Sequence, residues 1–147
     1  MPKHFFFYGT LQSEHLSGAA RQIFPKLKRV DEGFVKGRLF AIIAPYLTYP
    51  ALVLGAGSKD NVHGICYEMR PNFTGADLGL LDAYEEYFSD KLSSSEYLRQ
   101  ELPITLKSGA WLGAWVYGYN FPVPETAPPI PSGDFRDYAR HYRQYGK

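Results

Sequence analysis

The sequence predicts an α+β fold: a small mixed β-barrel of about six to eight strands with two or three helices. Three observations carry this. Aromatic residues make up 16% of the chain, with 12 Tyr and 10 Phe, a bias toward β structure and an aromatic-lined interior. Glycines interrupt several strand-like runs, as they do where a sheet curls toward closure. Thr74 to Phe88 carries the clearest helical repeat of the chain, and it is expected to pack against the barrel's opening.

At 147 residues the chain fits one domain, 1–147, able to bury about two-thirds of its unfolded surface without metals or disulfides. Its formal net charge is +1 and no basic block is present, so neither nucleic acid nor a membrane surface is an expected partner. The same neutrality weighs against a barrel that binds single strands through its aromatics. Cys66 is the sole cysteine, which excludes an internal disulfide or a Cys-cluster metal site and suits a reducing compartment. The N-terminal apolar run is too short for a signal peptide and no run approaches a membrane span. A cytoplasmic location is the expectation.

The first element is Phe5-Phe6-Phe7-Tyr8, four aromatics that cannot alternate between core and solvent and so read as a strand buried on both faces. Gly9 ends it, lets the chain turn and lets a ligand approach the backbone; Thr10 adds a hydroxyl, and Gly9-Thr10-Leu11 offers a row of N–H groups. Ser13 to Phe24 carries Leu16, Ala19, Ala20 and Ile23 at helical spacing, with Ser13 as cap and Pro25 as terminator. Lys28 to Phe40 reads as two strands or one bent strand around Gly33 and Gly37. Pro45 to Pro50 reads as loop. Tyr49 to Leu54 leads into a strand, and with Val62 to Glu68 it reads as a hairpin across the turn formers of residues 55–61. That glycine-containing turn lacks the spacing of a phosphate loop. His63 and Cys66 fall on opposite faces and His4, His15 and His141 share no ligand spacing, so no metal site is expected.

Thr74 caps the clear helix, with Asp77 at the capping-box position. Leu78, Leu81, Tyr84 and Phe88 form its apolar face, with Leu80 and Tyr87 at the edge. Asp82 and Glu86 fall together on the polar side, and Glu86 reads as a solvated surface acid. Glu85 instead falls between Leu78 and Leu81, on the face that packs. A carboxylate there is costly unless it is paired, for instance with Arg99, or faces a cavity. Partial burial raises its pKa into the range where it both accepts and donates a proton.

Tyr97 to Leu106 alternates as a strand, with Pro103 marking an edge or a bulge. Lys107-Ser108-Gly109 makes the turn into Trp111 to Tyr119, which is apolar on both faces and reads as central. Five prolines between Phe121 and Pro131 keep that stretch extended over the surface. Ser132-Gly133-Asp134 caps a last helix, Phe135 to Tyr145, whose arginines snorkel over Tyr138, Tyr142 and Tyr145.

In order along the chain stand Tyr8-Gly9-Thr10-Leu11, Gly37-Arg38-Leu39, Tyr49-Pro50-Ala51, Leu81-Asp82-Ala83-Tyr84-Glu85 and Tyr97-Leu98-Arg99. Together they resemble the motifs of the gamma-glutamylcyclotransferase-like family, and Ile130-Pro131-Ser132-Gly133-Asp134 is similar to the branch acting on gamma-glutamylamines. One departure stands out: the family often has Gly where this chain has Glu86.

The resemblance implies a small barrel with a pocket at one end and a small-molecule gamma-glutamyl substrate. The alpha-amine of a free gamma-glutamyl amine, dipeptide or related conjugate attacks the gamma-carbonyl, closes 5-oxoproline and expels the amine. This lyase- or acyltransferase-type cyclisation needs neither metal nor cofactor. It implies Glu85 as catalytic general base and acid, and Tyr8, Gly9, Thr10 and Leu11 as the substrate-binding loop, with Tyr49, Tyr97 and Tyr119 as further substrate-binding candidates. Monomer and homodimer both stay open. The main rival is a non-catalytic module binding a small amino-acid-like ligand in the same pocket. A second is removal of a gamma-glutamyl protecting group from a biosynthetic intermediate.

Overall fold

The four aromatics build the centre of the computed structural model, which describes residues 2–9, 18–45, 48–55 and 59–138. Strand β1, His4–Phe7, buries every ring of the run: Phe5, Phe6, Phe7 and Tyr8 are all at most 5% exposed. Strand alternation sends them to two places. Phe6 and Tyr8 join Val35, Val62, Cys66, Ile104, Ala114 and Val116 in an inner layer. Phe5 and Phe7 join Ile65, Tyr67, Leu81 and Tyr117 in an outer layer beneath the helices.

Five strands close the barrel in the order β1-β5-β2-β6-β7, where β2 is Leu27–Lys36, β5 Asn61–Met69, β6 Tyr97–Leu106 and β7 Trp111–Tyr119. Pairing is antiparallel except at the closure, where β1 meets β7 in parallel at Phe5 and Trp115. The other two strands, β3 (Arg38–Ile43) and β4 (Thr48–Val53), form a separate antiparallel pair. The described residues thus show an α+β fold with seven strands, but the closed barrel has five of them, fewer than the six to eight expected, because β3 and β4 pair apart from it.

The hairpin expected between β4 and β5 does not form. β4 pairs with β3, Leu52 opposite Leu39, whereas β5 lies between β1 and β2. Of the segment Pro45 to Pro50 expected as loop, Thr48 to Pro50 belong to β4, and Pro50 is tolerated on a strand with only one partner. The β6–β7 hairpin forms as expected around Gly109, and Pro103 lies where β6 pairs with β7 alone. The proline-rich stretch does more than wrap the surface. Ala41 N–H donates to Pro128 and Ile130 N–H to Leu39, so it extends the small sheet beside β3.

Helix α1, Gly18–Ile23, runs into a 3-10 turn at Phe24–Lys26 that contains Pro25. The first part of the helix expected from Ser13 lies outside the described residues, as do Thr10, Leu11 and the last helix beyond residue 138. Helix α2 is Gly75–Tyr84. Asp77 accepts the Thr74 N–H at 2.8 Å and Lys26 Nζ at 2.9 Å, and the Lys26 ammonium holds its carboxyl below the usual range. The helix ends four residues before the expected Phe88. Glu85 is its C-cap, and Glu86 takes a left-handed backbone, φ 53°, which breaks the repeat. Phe88 is therefore 40% exposed rather than part of the apolar face.

Candidate active site

A pocket of about 330 Å³ lies where β1 ends and α2 stops. Phe6 to Gly9 form one wall, Tyr49 and Pro50 of β4 another, and Tyr84, Glu85 and Glu86 of the α2 terminus a third. Glu96 and Tyr97 at the start of β6, with Tyr117 of β7, complete it. Most of the residues expected at the site from the sequence are brought together here: Glu85, Tyr8, Gly9, Tyr49 and Tyr97. Tyr119 is not among the lining residues; its ring stands edge-on to Tyr97 and Phe121. Thr10 and Leu11 lie outside the described residues.

Gly9 earns its place differently from the expectation of a special turn. Its backbone is not in the left-handed region. A Cβ there would sit 2.3 Å from Pro50 Cγ, so glycine is what allows the β1 end to press against the Tyr49-Pro50 wall. Tyrosine hydroxyls fix that wall. Tyr97 Oη donates to the Pro50 carbonyl at 2.6 Å, and Tyr8 Oη donates to the Tyr117 carbonyl. Burial pushes the Tyr8, Tyr97 and Tyr117 phenols up, and the nearby Glu85 charge pushes the same way. All three stay neutral hydrogen-bonding groups near neutral pH.

Glu85 keeps helical register with the turn before it, its N–H donating to Leu81 O at 3.0 Å, but its side chain lines the pocket. The expected competitor for it, Arg99, is engaged elsewhere. Arg99 holds Asp82 through two bonds, Nε–Oδ1 at 2.9 Å and Nη2–Oδ2 at 3.3 Å, and stacks 4.3 Å above Trp115. Tyr117 Oη adds a third bond to Asp82 at 2.7 Å. Asp82, on the polar side of the helix, is thus a half-buried anchor. Among the described residues no cation pairs with Glu85. Loss of solvation, reinforced by the Glu96 charge, lifts its carboxyl to about 8.

Glu96 and Glu86 are the site acids that sequence reasoning missed or set aside. Glu96 accepts Tyr49 Oη at 2.7 Å, which with burial pushes the Tyr49 phenol up. Its backbone is fastened on both sides: Glu96 N–H donates to Glu86 O at 3.1 Å, and Asn120 N–H to Glu96 O at 2.8 Å. Glu86 is exposed yet lines the same pocket. No periodicity marks Glu96, which precedes a strand after a serine run. Among the described residues, no three His, Cys, Asp or Glu side chains gather as a metal would need.

Comparisons agree with this architecture. A family model described as "Gamma-glutamyl cyclotransferase, AIG2-like" matches residues 5–137. YkqA of Bacillus subtilis is similar in structure, with TM-score 0.66 and 21% identity over 98% of this chain and 43% of that one. The chain therefore spans less than half the length of YkqA. The ytfP protein of Escherichia coli matches at 25% identity and TM-score 0.58, over 92% of this chain and 98% of that one. An AIG2-like protein of Mus musculus matches at 23% identity and TM-score 0.63, over 90% and 88%. Comparison with curated proteins gives no match.

Proposed function

The chain belongs to the AIG2-like gamma-glutamyl cyclotransferase family, and from that premise we propose that it is an enzyme releasing 5-oxoproline from a free gamma-glutamyl amine, dipeptide or related conjugate. Family membership supports a cyclotransferase-type activity in general. The finer reading rests on one observation: a pocket carboxylate, Glu85, without a cationic partner among the described residues and with its pKa lifted to about 8.

The chemistry asks for such a group. The substrate's alpha-ammonium must lose a proton before its nitrogen attacks the gamma-carbonyl. The leaving nitrogen must gain one before its bond to carbon breaks. A carboxylate with a pKa near the working pH exchanges protons in both directions at little cost. The substrate ammonium, once bound, favours the ionised form that starts the reaction. Because the nucleophile is within the substrate, holding the folded conformer supplies much of the rate. Tyr8, Gly9, Tyr49 and Tyr97 shape the wall that would hold it. Peptide N–H groups from Gly9 through Thr10 and Leu11 are the proposed donors for the alpha-carboxylate or the developing oxyanion.

The test is release of 5-oxoproline from gamma-glutamyl dipeptides and gamma-glutamylamines, followed from pH 5 to 9. The expected kcat/KM climbs as Glu85 ionises and levels above about pH 8. Saturable binding of these compounds without any 5-oxoproline would replace this reading with the binding module.

A further inference from the structure

Residues 85–96 join α2 to β6, and both ends of this segment line the pocket, Glu85 and Glu86 at one and Glu96 at the other. Hydrophobic burial holds little of it beyond the partly buried Tyr87. Between Glu86 and Glu96 only Ser95 is buried, whereas Phe88 and Leu92 are 40% and 52% exposed. Leu92 opens a 3-10 turn, Leu92–Ser94, that buries no residue. A segment so open to water keeps one shape only where hydrogen bonds fix it.

Those bonds converge on two side chains. Ser95 Oγ accepts Phe88 N–H at 2.8 Å and lies 3.2 Å from the carbonyls of Phe88 and Lys91, to one of which it donates. Asn120, just past the end of β7, donates both Nδ2 protons, to Leu92 O and to Ser95 O at 2.9 Å each. Its own N–H holds Glu96 O, and Glu96 N–H holds Glu86 O. The run of bonds leads from β7 to the start of β6 and across to the residue after Glu85. Neither Ser95 nor Asn120 lines the pocket.

Resting on the cyclotransferase reading, we propose that Ser95 and Asn120 are positioning residues for the reaction: they clasp segment 85–96 shut and so set the spacing of Glu85 and Glu96 across the pocket. Asp82 fastens the chain before Glu85, and the clasp fastens the chain after it. With the clasp undone, water reaches Glu85 and Glu96 moves off. Both changes remove causes that lift the Glu85 carboxyl, so it falls back toward the ordinary carboxylate range. The other titratable groups lining the pocket are Glu86, which moves with the segment, and the phenols of Tyr8, Tyr49, Tyr97 and Tyr117, which stay neutral.

Three variants test this through 5-oxoproline release from gamma-glutamyl dipeptides and gamma-glutamylamines between pH 5 and 9. Asn120→Ala and Ser95→Ala undo the clasp. Ile104→Val weakens the inner layer of the barrel, away from the pocket, and is the control for lost stability alone. In both clasp variants kcat is expected to fall by about tenfold or more. The rise of kcat/KM with pH moves about half a unit or more toward acid. Ile104→Val keeps the wild-type pH profile. Asn120→Ala carries the test if Ser95→Ala does not fold, because Asn120 is partly exposed and water can take over the carbonyls it releases. A wild-type pH profile in folded Asn120→Ala, whether or not kcat falls, overturns the positioning role and leaves the cyclotransferase reading standing. No 5-oxoproline from the wild-type protein overturns both.

Discussion

Asp82 and Glu85 stand one helical turn apart at the end of α2, and their surroundings could hardly differ more. Asp82 receives three hydrogen bonds, two from Arg99 and one from Tyr117, and ties the helix to β6 and β7. Glu85 faces the pocket with no cation among the described residues to hold it and with another acid, Glu96, nearby. Both are carboxylates of similar intrinsic acidity. The difference is therefore one of neighbours: partners fix one as an anchor, and their absence leaves the other ready to exchange a proton. An anchor of this kind also keeps the proposed proton carrier in place, since the helix end that carries Glu85 is the part Asp82 fastens.

Three changes, read in four measurements, would break or sharpen this contrast. The largest effect is expected from Glu85→Gln, which keeps shape and removes the proton exchange. 5-Oxoproline release should fall by about a thousandfold or more, with circular dichroism and unfolding midpoint showing an intact fold. Turnover near wild type would return Glu85 to the same class as Asp82.

The same substitution has a consequence for stability. The folded carboxyl titrates near 8, above its unfolded value, so the native state binds the extra proton between them. Its stability is full below about pH 4 and declines as pH rises to about 8, then stays level. Glu85→Gln lacks this loss. Urea unfolding at pH 5 and pH 9 should show the variant gaining on wild type by on the order of 1 kcal/mol or more.

Asp82→Asn strips the anchor of its charge and leaves Arg99 half-buried without a counter-ion. A loss of about 1–3 kcal/mol in stability is expected from chemical denaturation. Turnover should fall as well, through misplacement of Glu85, with the pH profile displaced. Unchanged stability would mean that the stack of Arg99 on Trp115 holds the helix end by itself. The smallest effect belongs to Glu86→Gly. A left-handed non-glycine backbone costs about 1–2 kcal/mol, and glycine's extra freedom when unfolded offsets much of that relief. The midpoint should move by less than about 1 kcal/mol, and a larger drop would show that the Glu86 side chain itself holds the turn.

The sequence was most legible where local pattern and final environment agree. Four aromatics in a row leave no solvent face, and β1 is buried on both sides. Glu85 stood out because it interrupts an apolar face, although the helix ends just before it and the pocket, not the packed face, receives its side chain. Misreadings came where a distant part of the chain sets the outcome. β4 has turn formers and then β5 after it, yet it pairs backward with β3, since Leu39 and Leu52 are both needed in the inner layer. A helical wheel puts Asp82 on the polar side and gives it no partner, because a wheel does not include Arg99. Glu96 gave no signal, since its role depends on Tyr49 and the end of α2 arriving beside it.

The parallel contact of Phe5 with Trp115 has a consequence for how the protein comes into being. The first of the described strands finds its closing partner in the last of them. Until β7 emerges, β1 has only β5 beside it, and the pocket lacks its Tyr117 wall. Contacts of such long sequence separation form late and slow the folding of the whole domain. Assembly is therefore close to all-or-none: a nascent chain halted before residue 111 carries Glu85 and Tyr8 but has no chamber in which they meet.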